Sequence, residues 1–474
     1  MKIFSRLIYC TIFFSFLIAN TSAQELNQKI DEVLDQYVKL DQFSGCVLVA
    51  KDAKVLYAKA FGEANKDYHV KNTLNTKFNI GSIGKTFTGV AIMQLVERGK
   101  LKVTDPASKY LDDFHFGDKI TIHNLLTHTA GTYNYFAHPD FLAKMFSIRS
   151  VNDALPLIYD QKLLFDTPGE QFSYSNSGIV ILGAIIEKVT GQSYSDHIKE
   201  NIHTPIAMDN TGIHYLDEIV ENRATGYVKN PSGAFTINIF VVPPANADGG
   251  IETTVGDMLK FDQALYGKKL LSEESKNKMF TPFKNDYAYC WRIEKKYGNT
   301  IVGHNGGAPG VSASFRRYTD EKYTLIVLSN YSGGATQNAA NTIEAIIFGD
   351  QYEMPKPTIA EFLYKIMTAK GADNTMKNIE KLLTDNDYEI ITSRTLNLFG
   401  YTLLNEKKID MAIEVFKLNI QKFPDEANLY DSLAEAYMVK GDIESSINYY
   451  KKALEKDPNF ENSKKMLELL KKKL

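Results

Sequence analysis

Cysteine is scarce in this chain. Only three occur among its 474 residues. Cys10 falls in an amino-terminal stretch that reads as removable. Cys46 and Cys290 each sit inside an apolar, strand-like run. Two cysteines in an exported chain could pair, but the favoured reading is that both are small buried hydrophobes. No Cys/His set has zinc spacing and no His-Glu-x-x-His occurs, so neither a metal nor another cofactor is expected. Charge of one sign is also lacking. The net charge is −3, which leaves no field for nucleic acid or anionic lipid. No basic stripe with interleaved aromatics is found. After Ile18 no apolar run is long enough to cross a bilayer.

What is present begins with an export signal. Lys2 and Arg6 precede the short apolar run Leu7–Ile18, and "ANTSA" supplies small residues before "QELNQK". That layout predicts cleavage after Ala23 and a periplasmic or secreted mature protein, with no membrane span after cleavage. Cys10 lies too early, with the wrong neighbours, for a lipoprotein cysteine.

The mature chain is too long for one ordinary domain. "GCVLVAKDAKVLYAKAFG" (Gly45–Gly62) is two apolar runs around a polar turn, a β-hairpin pattern. "FTGVAIMQLVERGKL" is apolar on most sides and stops at Gly99, as a buried helix does. From Asp105 to about Lys278 the chain shows short helical patterns and loops. Strand patterns return in "DYAYCWRIEK", "NTIVGH", "VSASFRRY" and "YTLIVLSN", followed by the helical "TQNAANTIEAIIFG". Strands at both ends around a helical middle predict an α+β domain over residues 24–350. Its antiparallel sheet is flanked by helices and carries an all-helical insertion. "GDQYEMPKPT" reads as a linker.

Residues 351–474 are helical and repetitive. Leu403/Tyr437, Phe416/Tyr450 and Pro424/Pro458 are each 34 residues apart. This register resembles the tetratricopeptide repeat, clearest over about residues 393–460. A degenerate helical pair at about Ile359–Leu383 is expected to complete the array, and Glu461–Leu474 to cap it. The resemblance implies an all-α domain able to hold a protein partner.

The stretch "FNIGSIGKTFTG" (Phe78–Gly89) has two incompatible readings. Gly84-Lys85-Thr86 ends a pattern close to a phosphate-binding loop. That loop needs glycine at position 79, where Asn79 stands, and no strand ending in an aspartate offers itself as a magnesium holder. Ser82-x-x-Lys85 instead puts a hydroxyl and an amine one helical turn apart. Ser82 sits where a strand-like run gives way to a helix, so the helix N-terminus points at the reaction centre. A lysine desolvated in an apolar helix is suited to take the serine proton. Downstream, "PGEQFSYSNSG" contains Tyr174-Ser175-Asn176, and "IVGHNGGAPG" contains His304-Asn305-Gly306 at a strand end.

In this order the three elements resemble the serine β-lactamase and penicillin-binding protein superfamily, most nearly its class C-type serine hydrolases. The resemblance covers about Leu26–Gly349. It implies Ser82 as the acylated nucleophile, Lys85 as its base and Tyr174 as the proton shuttle. Asn176, His304 and Gly306 would hold substrate. The N–H groups of Ser82 and Gly307 would form the oxyanion hole. His304 stands where many relatives carry lysine. A histidine largely neutral above about pH 6.5 is a poor receptor for a substrate carboxylate. The chemistry implied is cleavage of an amide, peptide or ester bond in a small-molecule or peptide substrate: a D-amino-acid peptide, a β-lactam or a small ester. The rival from another class is a non-catalytic protein that captures a cell-wall peptide and recruits a partner through the repeats.

Overall fold

The computed structural model describes residues 24–215, 217–237, 246–332, 334–390 and 392–471. The segment 1–23, read above as an export signal, lies outside them. The chain divides into two compact units. Of the described residues, one unit holds those up to Val228 together with those of Thr236–Pro355, and the other holds Lys229–Phe235 and those from Lys356 onward.

Alternation builds the first unit. β1 (Gly45–Lys51), β2 (Lys54–Phe61), β3 (Arg292–Lys296), β4 (Asn299–Ala308), β5 (Val311–Tyr318) and β6 (Tyr323–Ser329) form one sheet in the order β3-β4-β5-β6-β1-β2. Every neighbouring pair is antiparallel. Successive residues of a strand face opposite sides, and here each side buries its own core. Val47 and Val49 join Val327 on one face, packed with Ile30 and Leu34 of α1 (residues 24–39). Cys46, Leu48 and Ala50 join Phe315 and Ile326 on the other, in one core with residues of α2 (Gly84–Glu97) and α3 (Asn176–Thr190). α4 (Ala335–Phe348) covers the α1 face through Ala339, Ala340 and Ile343. The architecture is thus α+β. Between β2 and β3 the chain is mainly short helices and loops. Cys46 and Cys290 are both free and buried, and burial pushes each thiol up to about 12.

The second unit is helical. α5 (Ile359–Lys370) opens it with a capping box between Thr358 and Glu361. The pair expected at Ile359–Leu383 is instead α5 followed by two short helices, Ala372–Lys377 and Ile379–Asp385. Gly371, at φ 81°, ends the first. α6 (Ser393–Asn405), α7 (Ile409–Lys422), α8 (Ala427–Lys440) and α9 (Ile443–Lys456) form two successive helical hairpins, followed by α10 (Glu461–Lys471). A Cβ on Gly400 would lie 2.4 Å from the Phe416 ring, so α6 and α7 meet because position 400 has no side chain. Lys229 pairs with Glu361 at 2.7 Å, and Asn230 donates to Glu406 at 2.8 Å. Among the described residues no helix is long and apolar enough to cross a membrane.

Candidate active site

The site begins with a tight turn. Phe78–Asn79 pairs antiparallel with Ile251–Thr253, and the Ile80 N–H donates to the Ile251 carbonyl at 3.0 Å. The Asn79 side chain then accepts from the Gly81 N–H at 2.8 Å, which closes the turn before a 3₁₀ segment, Gly81–Ile83, and α2. Gly81 has φ 51°, and a Cβ there would lie 2.9 Å from the Gly307 nitrogen. Both facts require glycine. Asn79, which excludes the phosphate-loop pattern, thus shapes the turn that presents Ser82.

Lys85 sits in the first turn of α2 with 0% of its surface exposed. Its Nζ donates to Ser82 Oγ at 2.9 Å and to the Asp248 carbonyl at 2.5 Å. It also lies 5.2 Å from the centre of the Tyr174 ring. A buried ammonium or amine needs such partners, since its unpaired hydrogens would be desolvated. Ser82 is half-buried. A Cβ on Gly84, between them, would lie 3.3 Å from the Gly249 Cα.

Tyr174, half-buried, and Ser175 lead into α3, whose first residue is Asn176. Ser175 caps the helix by accepting from the Gly178 N–H. Asn176 Nδ2 donates to Asn134 Oδ1 at 3.4 Å.

Strand β4 forms the opposite wall. A Cβ on Gly306 would fall 1.8 Å from the Ile80 carbonyl oxygen and 3.3 Å from the Ser82 nitrogen. The strand therefore lies against the nucleophile turn, with the Gly307 nitrogen beside Gly81. The pairing of β4 with β3 covers Asn299–Gly303, so residues from His304 onward run past the end of β3. His304 is 5% exposed, and its ring lies 6.2 Å from that of Tyr174. Its Nδ1 is 2.6 Å from the Asn305 carbonyl and its Nε2 3.0 Å from the Tyr287 hydroxyl. Burial first, then the charge of Lys85, pulls its pKa down to about 3.

The structure thus brings Ser82, Lys85, Tyr174, His304, Gly306 and Gly307 around one turn. Three neighbours escape the motif reading. Asp248 is 2% exposed and accepts from the Tyr135 hydroxyl at 3.3 and 3.4 Å. Burial raises its carboxyl to about 6, against the pull of Lys85. His128 and Tyr287 complete the surroundings of His304. Asp248 acts on Lys85 through a main-chain oxygen, which no residue type encodes. Its signal is the Asp-Gly-Gly triplet that opens "ADGGIETTVGDMLKF" (Ala247–Phe261), a stretch that also resembles the family. Tyr287 and His128 lie far apart in sequence and share no pattern.

Comparison with known proteins accords with this geometry. Penicillin-binding protein 4* of Bacillus subtilis is 33% identical over 339 residues, covering 66% of this chain and 74% of that protein. Teichoic acid D-alanine hydrolase of Staphylococcus aureus is 28% identical over 306 residues, 63% of this chain and 73% of that one. The crystal structure of a penicillin-binding protein from Bacillus halodurans superposes with a TM-score of 0.62 at 31% identity, covering 66% of this chain and 98% of that one. Residues 427–460 match the tetratricopeptide repeat. Residues 30–347 match the beta-lactamase family, and the chain belongs to it, as a serine hydrolase of the β-lactamase and penicillin-binding protein superfamily with a tetratricopeptide repeat at its carboxyl end.

Proposed function

We propose that the protein is an exported hydrolase that forms an acyl-enzyme on Ser82 and cleaves an amide, peptide or ester bond. The acyl group is that of a D-amino acid, a β-lactam or a small ester. The observation that carries this reading is the 2.9 Å contact between Lys85 Nζ and Ser82 Oγ, with the amine otherwise held by the Asp248 carbonyl. The reactive form of Lys85 is the unprotonated amine, which has two hydrogens and one lone pair. One hydrogen serves Asp248, and the lone pair then faces the serine hydroxyl and takes its proton as Oγ attacks the carbonyl carbon. The carbonyl oxygen becomes an oxyanion facing the N–H groups of Ser82 and Gly307. Tyr174, against the amine, passes the proton to the leaving group as the old bond breaks. Water then attacks the ester on Ser82; Tyr174 takes the water proton while passing its own to Lys85, and Lys85 returns a proton to Ser82 Oγ as the ester bond breaks, which restores the free enzyme. Asn176 and the free part of β4 hold the substrate main chain.

The D-amino-acid alternative is drawn from the relatives. Export rests on the amino-terminal sequence pattern, and a protein partner of the repeat unit rests on the repeat itself. Incubation of the pure protein with a serine-directed fluorophosphonate should label one site, and Ser82→Ala should abolish both labelling and p-nitrophenyl ester turnover. Unchanged labelling in that variant would sink the reading.

A further inference from the structure

Tyr287 belongs to none of the three motifs, yet it is fully buried behind one of them. Its hydroxyl lies between two imidazoles, 3.2 Å from Nε2 of His128 and 3.0 Å from Nε2 of His304. The outer ring nitrogens both meet main chain. The Ser175 N–H donates to His128 Nδ1 at 3.3 Å, and His304 Nδ1 lies 2.6 Å from the Asn305 carbonyl oxygen. A main-chain N–H only donates and a carbonyl only accepts. Those two ends fix every proton between them. His128 Nδ1 accepts, so its Nε2–H donates to the Tyr287 oxygen. Tyr287 in turn donates to His304 Nε2, and His304 gives its Nδ1–H to Asn305. Each imidazole then carries one hydrogen and no charge. A second proton on His304 would leave the phenol hydrogen without an acceptor in a buried site.

The groups facing His304 agree. Lys85 and Arg292 oppose a further positive charge, and the nearby rings of Tyr174 and Tyr287 replace water. Burial also takes His128 well below the usual histidine range, with Lys85, His304 and Arg292 acting in the same direction.

We propose that Tyr287 is a positioning residue that keeps the His304 ring uncharged with both nitrogens occupied, so that the site selects acyl donors whose leaving group carries no carboxylate. Esters and amides with an uncharged alcohol or amine leaving group are that class. The proposal rests on the hydrolase reading above. Arg292 is the competing receptor to exclude. It is half-exposed, on β3, with its guanidinium 5.8 Å from the centre of the Tyr287 ring.

The test uses the full-length protein and two substrates, N-acetyl-D-alanyl-D-alanine and its carboxyl-terminal amide. The wild type should favour the amide by roughly tenfold or more in kcat/KM, with a preference that is flat from about pH 5.5 to 8. Tyr287→Phe removes the hydrogen that occupies His304 Nε2, and the preference should begin to narrow at a higher pH than in the wild type, through KM for the free acid, while burial and Lys85 still hold the ring below the usual histidine range. Nitrogen-15 NMR reads the ring tautomers without turnover: hydrogen on Nε2 of His128 and on Nδ1 of His304. An imidazolium at His304 near pH 6 overturns the proposal. So does a wild-type preference for the free acid that Arg292→Gln removes. A Tyr287→Phe variant with a lower Tm but unchanged preference and pH profile also overturns it. Failure of the hydrolase reading looks different: Ser82 is not acylated while both tautomers stand as assigned, and the selectivity falls with it.

Discussion

Lys85 is a wholly buried amine held by one hydroxyl and one carbonyl. Lys85→Met nearly conserves its volume, so the core should survive while the base is lost. Ester turnover is expected to fall by about 10²–10⁴-fold, with circular dichroism unchanged. Asp248 gives a second prediction, in stability. Its carboxyl is raised from 3.8 to about 6, chiefly by burial. Between those values the folded state binds the proton more tightly than the unfolded chain. The contribution is therefore fully present below 3.8 and lost as pH rises through about 6. Relative to Asp248→Asn, the wild type should lose on the order of 2–3 kcal/mol as pH rises from about 4 to 8. Urea denaturation at several pH values measures it, and a pH-independent difference would refute it. The serine–lysine pair is legible in sequence because one helical turn joins the two residues. Asp248 is not, because its contact with Lys85 comes from backbone geometry.

Strand β4 works as an element, and its two glycines make separate predictions. Gly306 lies against Ile80 so closely that a Cβ would fall 1.8 Å from a carbonyl oxygen, whereas a Cβ on Gly307 would meet nothing within 4 Å. Gly306→Ala must push the strand off the nucleophile turn. It should cost about 1–3 kcal/mol and most of the activity. Gly307→Ala keeps the N–H and should change stability by no more than about 0.5 kcal/mol. Equal effects from the two would show that β4 does not lie against Ser82. Elements of this length are legible. The hairpin β1–β2, helix α2 and strands β4 to β6 follow from period-2 and all-apolar patterns that their burial demands. The two- and three-residue strands Phe78–Asn79 and Ile251–Thr253 are not, since such short runs hold no period and exist through pairing between distant segments. The helical pair expected at Ile359–Leu383 shows the converse limit: Gly371 turns to a positive φ and breaks a pattern that apolar spacing alone would continue.

At the scale of the whole chain, two units with separate cores predict two unfolding events. The core around Leu48 and Phe315 shares no residue with that around Leu396 and Phe416. The chain nonetheless passes from the first unit into the second and back at Lys229–Phe235 before its final departure at Lys356. Division by linker composition could not reveal that excursion, because "KNPSGAF" reads as an ordinary loop. Phe416 is fully buried against Gly400, and Phe416→Ala removes the ring that fills the space the glycine leaves. The loss expected is about 3–5 kcal/mol. Because the cores are separate, it should lower one calorimetric transition and leave the other in place. Phe315→Ala, in the sheet core, should move the other. Fluorophosphonate labelling of Ser82 during the same heating ramp assigns the transitions. In Phe416→Ala, labelling should persist through the lowered transition and disappear only at the one Phe315→Ala shifts. A single transition that both variants move together, with labelling lost at its midpoint, would mean instead that the two units fold as one.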